Sequence, residues 1–117
     1  MRSILTPNEL HADIKDQVLN YNKNIVDEVA KAVSENRVVV VGMRYNDAVY
    51  TARKALKKAG VEFTYLEYGS YTSSWRKRLA LKMWTGWPTF PMVFVDGALV
   101  GGSKDVRALI AEGRLNK

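Results

Sequence analysis

The stretch Trp87-Pro88-Thr89-Phe90-Pro91-Met92-Val93-Phe94-Val95-Asp96-Gly97, continued by Ala98-Leu99-Val100-Gly101-Gly102-Ser103, decides how the chain is read. Met92 to Val95 is a short apolar run of strand type, and Asp96-Gly97 is a strong hairpin signal because both turn residues tolerate a positive φ. Ala98-Leu99-Val100 then returns as a second, antiparallel strand. Gly101-Gly102-Ser103 opens a last helix whose Val106, Leu109 and Ile110 face inward, and Gly113 ends it.

Upstream, Thr85-Gly86-Trp87-Pro88 closes a helix running from about Ser74 to Trp84. Trp75, Leu79 and Met83 recur four apart and share one side, with Arg78 and Lys82 beside them. Leu81 and Trp84 point elsewhere, so this helix is not cleanly amphipathic. Trp75, Trp84 and Trp87 are expected to pack in the core or to close a groove. Val38 to Val41 is four valines without polar alternation, the pattern of a strand covered on both faces. Asn46 can cap the next helix, and Asp47 puts negative charge at its positive end. Val49, Ala52, Leu56 and Ala59 give that helix its buried face, and Gly60 ends it. Phe63 to Tyr68 reads as a strand from its aromatic and β-branched content.

Ahead of all this lie helices. Thr6-Pro7-Asn8-Glu9 reads as a helix start with a capping box, followed by an apolar stripe of Leu10, Ile14 and Val18. A second helix begins near Asn24 and buries Ile25, Val26, Val29 and Val33; a single long helix is the alternative. The order is then helices followed by β-α-β-α-β-β-α. A right-handed parallel crossover and a hairpin combine most simply into a four-stranded mixed sheet flanked by helices, an α/β domain with an N-terminal helical extension. No internal repeat or domain linker interrupts the 117 residues.

Composition removes several kinds of chemistry. There is no cysteine, hence no disulfide, thiolate nucleophile or thiolate metal ligand. His11 is the one histidine, and the carboxylates do not cluster, so no metal site is expected. No apolar run approaches the roughly 20 residues that cross a bilayer. Met1 to Lys15 is polar and carries acids, unlike a secretory signal. The expectation is a cytoplasmic protein without membrane association. Eighteen basic against 12 acidic residues give +6. A nucleic-acid partner is not expected, because no nucleic-acid motif accompanies that charge.

From Val38 to Leu115 the chain resembles the glutaredoxins, which have a thioredoxin-like fold. The segments that carry the resemblance are Thr89-Phe90-Pro91 before the hairpin and Gly101-Gly102 after it; the Trp87-Pro88 lead-in is most similar to the monothiol class. The resemblance implies a cis Phe90–Pro91 peptide. It divides the chain into an extension, residues 1–36, and a glutaredoxin-like domain, residues 37–117.

The resemblance also places the family's nucleophilic cysteine at Asn46 and a dithiol partner at Val49. Asn46 keeps the cap and loses the nucleophile, so thiol–disulfide exchange is excluded. Glutathione is the candidate ligand the resemblance implies, and no other cofactor is expected. Met43 stands where the family has a carboxylate-binding lysine, with Arg44 beside it as a substitute. Phe90, ahead of Pro91, would pair with the tripeptide as an added strand. Gly102 and Ser103 fit the receptor for the γ-glutamyl carboxylate, although Lys104 replaces a common aspartate. Arg78 matches the spacing of a further basic contact, and Lys82 extends it as an anion-binding edge. The expectation is a binding or regulatory module without redox activity. The alternative is a glutathione-dependent transferase in which Tyr45 and Asn46 orient the thiol of glutathione.

Overall fold

The computed structural model describes residues 21–70 and 73–115, together with His11, Ile14 and Gln17. The Thr6-Pro7-Asn8-Glu9 helix start, Leu10 and Val18 lie outside the described residues. The element order is α1 (Lys23–Glu35), β1 (Val38–Gly42), α2 (Asp47–Lys58), β2 (Thr64–Glu67), α3 (Trp75–Thr85), β3 (Met92–Val95), β4 (Ala98–Gly101) and α4 (Ser103–Ala111). Asn22, just ahead of α1, is left-handed at φ 45°, a conformation asparagine tolerates, and it breaks the helical path at that point.

The strands form one sheet in the order β2-β1-β3-β4. β1 runs parallel to β2 and antiparallel to β3, and β3 pairs with β4 through a bulge at Val93/Phe94. Asp96 and Gly97 take φ of 51° and 83°, the pair of positive angles that matches a two-residue turn to the twist of its strands. β2 is shorter than its composition implies. Its ladder with β1 pairs Thr64 to Glu67; Phe63 lies outside it, and Tyr68 adds only an N–H that donates to the Gly42 carbonyl at 2.9 Å.

β1 is the centre of three layers. Val39 and Val41 join Ile25 and Val29 of α1 and Ala80 and Leu81 of α3 on one face. Val38 and Val40 join Ala52 and Leu56 of α2 and Val106 of α4 on the other. All four valines are buried, which is why the run carries no polar residue. Each contributes roughly 1.5–3 kcal/mol through apolar burial.

Helix α3 departs from the sequence expectation. Its buried residues are Arg78, Ala80 and Leu81. Trp75, Leu79 and Met83 face solvent, with Trp75 54% exposed. Trp84 is also partly exposed but stacks on Phe94, 6.1 Å between ring centres. Leu81 supplies the core contact, so the four-residue stripe is free to lie outward.

Candidate cleft at the start of two helices

The ends of β1 and β3 bring three segments together: the first turn of α2, the loop into β3, and the start of α4. Asn46 caps α2, its Oδ1 accepting the Val49 N–H at 3.0 Å, with Asp47 in the first turn and Lys57 and Lys58 in the last. These charges complement the helix dipole at both ends. The nucleophile position of the resemblance is thus the N-cap of the helix.

Thr85 ends α3 and orients the next segment. Its hydroxyl donates to the Leu81 carbonyl at 2.8 Å and accepts the Trp87 N–H at 3.1 Å. The chain then passes through Phe90–Pro91, whose peptide is cis. The β1–β3 ladder begins at Val41 and Met92, so the peptide edge at Phe90 lies just outside it.

Gly102 is the N-cap of α4 and offers no side-chain cap. The first-turn N–H groups therefore have no acceptor from an N-cap side chain. The Gly102 N–H itself donates to Asp105 Oδ2 at 2.9 Å. Gly101 packs against that carboxylate at φ 122°, and a Cβ there would collide with it.

A cavity of about 380 Å³ lies among these segments, walled by Asp47, Ala48 and Thr51 of α2, by Trp87 and Thr89 to Pro91, and by Gly102 to Asp105 and Arg107. Two buried polar atoms at this wall make no hydrogen bond with the described residues: Ser103 Oγ and Trp87 Nε1. Ser103 is only 8% exposed.

Of the residues singled out from sequence, Phe90, Pro91, Gly102 and Ser103 meet in this cleft. Lys82 stands beside it, its ammonium 5.8 Å from the centre of the Phe90 ring. Arg44, Tyr45 and Asn46 instead line a neighbouring groove of about 480 Å³ with Tyr50, Arg53, Tyr65 and Glu67; Asp47 is common to both. There Arg44 Nε pairs with Glu67 Oε2 at 3.3 Å, and Tyr65 OH donates to Glu67 Oε1 at 3.0 Å. Burial and the Glu67 carboxylate push the Tyr65 hydroxyl up to about 12, partly opposed by the Arg53 guanidinium over its ring. Tyr45 is 81% exposed, and neither it nor Asn46 faces the cleft.

Arg78 is the correction. It is buried, and its Nη1 donates to the carbonyls of Tyr68, at 3.0 Å, and of Ser73. Its guanidinium serves the connection between β2 and α3 and does not line the cleft. Trp87, expected to pack in the core or to close a groove, lines the cleft wall, and so does Asp105, which was missed. Asp105 carried a signal: it sits three residues after Gly102, at capping-box spacing, but a glycine N-cap conceals the pattern.

A larger cavity of about 780 Å³ opens at the other end of β1, around Arg37, Arg53 and Lys57. Among the described residues no group of three or more His, Cys, Asp or Glu is placed to hold a metal, and no helix is long and apolar enough to cross a membrane.

A four-stranded mixed sheet in this order, flanked by helices and with the Phe90–Pro91 loop at the start of the helix after β1, defines the thioredoxin-like class in its glutaredoxin form. Solved structures agree. Oxidized glutaredoxin 2 from Chlamydomonas reinhardtii superposes with a TM-score of 0.68 at 29% identity, covering 80% of this chain and 88% of that one. A buckwheat glutaredoxin–glutathione complex gives 0.71 at 25%, covering 82% and 87%. The Glutaredoxin family profile matches residues 50–100. A Dictyostelium discoideum "Glutaredoxin-like protein" is 50% identical over 103 residues, 88% of this chain and 84% of that protein. A "Probable monothiol glutaredoxin 2" of Rickettsia typhi is 36% identical over 82% of this chain and 87% of its own length. The chain belongs to the glutaredoxin family. It is a glutaredoxin-like protein with no cysteine in its 117 residues.

Proposed function

We propose that this protein is a non-redox binding or regulatory module that holds glutathione weakly in the cleft between Phe90–Pro91 and α4. The observation that carries this reading is the unpaired Ser103 hydroxyl, buried beside a helix N-terminus that has no side-chain cap. A buried polar group left unpaired costs about 1–3 kcal/mol. A carboxylate seated there satisfies the hydroxyl and the first-turn N–H groups together, where the helix dipole favours negative charge. The Phe90 peptide edge offers backbone groups to an extended ligand, and Lys82 adds a cation beside it. That a buckwheat relative was solved with glutathione supports the choice of ligand.

Redox turnover has no residue to perform it. Asn46 Oδ1 is committed to the helix cap, and a carboxamide forms no mixed disulfide. On this reading residues 37–117 are the binding domain, residues 1–36 an extension of it, and the site of action is the cytoplasm. Titration of the isotope-labelled protein with glutathione, followed through the amides of Phe90 and Ser103, tests the reading. Progressive shifts at both amides are expected. Unmoved amides at millimolar glutathione remove the ligand and leave a protein-interaction role.

A further inference from the structure

The outer face of α3 is apolar where a surface helix is normally polar. Trp75, Leu79 and Met83 follow one another at four-residue spacing and are 54%, 39% and 48% exposed, while Arg78 of the same helix is buried. The charges on the exposed surface of α3 are all positive: Arg76, Lys77 and Lys82, with no acid in the helix. The Arg76 guanidinium lies 4.7 Å from the Trp75 ring centre, at the edge of the stripe.

The N-terminal part of the chain carries the complement. Leu10, Ile14 and Val18 repeat at the same four-residue spacing, accompanied by three acids, Glu9, Asp13 and Asp16, against one base, Lys15. From first to last residue each stripe spans about 12 Å as a helix. Ile14 and Gln17 are helical, and Ile14 is 45% exposed. Ile14 and the α3 stripe are therefore both uncovered within one chain.

We propose that the outer face of α3 is the seat for the N-terminal segment of a second copy of this chain, the two copies exchanging these segments around a twofold axis. A twofold arrangement covers both stripes of both copies at once and closes the assembly. Acids on the segment meet Arg76 and Lys77, which fixes its direction and makes the association sensitive to salt. The contact is independent of glutathione binding.

Sedimentation velocity over a concentration series, at low and high salt, tests the proposal on the full chain. A reversible dimer that weakens with salt is expected. Ile14→Glu and Leu79→Glu, both at exposed positions, should each raise the dissociation constant at least about tenfold, with circular dichroism unchanged. Asp13→Lys should weaken the dimer, and Arg76→Glu added to it should restore association. A monomer at every concentration overturns the proposal. So does a dimer indifferent to Ile14→Glu, which would place the interface elsewhere. A monomer with spin-label broadening from residue 14 to residue 79 of the same chain would assign the stripe to the chain's own segment instead.

Discussion

The guanidinium of Arg78 donates to the carbonyl oxygen of Tyr68 at 3.0 Å and also reaches the carbonyl of Ser73. A cation at the edge of the ligand cleft would leave its donors to a ligand; this one is buried and commits Nη1 to the backbone leading from β2 into α3. Arg78→Ala strands two carbonyls in a buried setting, and it should lower unfolding stability by about 2–3 kcal/mol in urea titrations. Arg78→Lys should recover only part of that loss, because both bonds leave Nη1 and the shorter lysine side chain does not carry its ammonium to that place without strain.

Asn46 acts on the same scale at the other helix. Its side chain caps α2 through the Val49 N–H. Asn46→Ala should cost about 1 kcal/mol of stability, and Asn46→Asp should cost much less. Asn46→Cys places a thiol at the α2 N-terminus, and its rate of alkylation against pH should report a pKa below the usual value of about 8.5.

Ser103→Ala is expected to move stability and affinity in opposite directions. The hydroxyl has no partner among the described residues, so removing it should leave stability unchanged or raise it. Binding of glutathione should weaken about tenfold, the loss of one hydrogen bond to a charged group. Thermal unfolding and calorimetric titration of the same variant read the two effects separately.

Alkaline titration addresses the groove beside Asn46. Tyr65 is raised from 10.0 to about 12, first by burial and then by its bond to Glu67. Tyr68 is raised as well, by burial and by the Glu28 carboxylate that accepts its hydroxyl. A folded-state pKa above the unfolded value means the proton is held more tightly in the fold. The resulting stabilisation is complete below pH 10 and is lost as pH rises through about 12. Absorbance at the phenolate band should show late-ionising components that Tyr65→Phe and Tyr68→Phe remove one at a time.

Much of the fold was legible because the decisive residues act locally. Val38 to Val41 has the pattern of a strand covered on both faces and Asp96-Gly97 that of a tight hairpin turn, and both form as read. The cleft was legible at Phe90, Pro91, Gly102 and Ser103, which are close to one another in sequence and carried by a recognisable framework. Arg78 was not, because its partners are main-chain carbonyls, and carbonyls leave no mark on the side-chain pattern. The outward turn of Trp75, Leu79 and Met83 was hidden for a related reason. A four-residue apolar spacing states that side chains share a face without stating whether that face is buried.

The most direct test of the central claim compares glutathione with its S-methyl ether by calorimetric titration. A cleft that binds the peptide through Phe90, Ser103 and the α4 N-terminus, with no use of sulfur chemistry, predicts closely similar weak affinities for both. Loss of both on Ser103→Ala combined with Lys82→Glu is also expected. Binding of glutathione with none of its S-methyl ether, or binding of neither at millimolar concentration, would contradict the account.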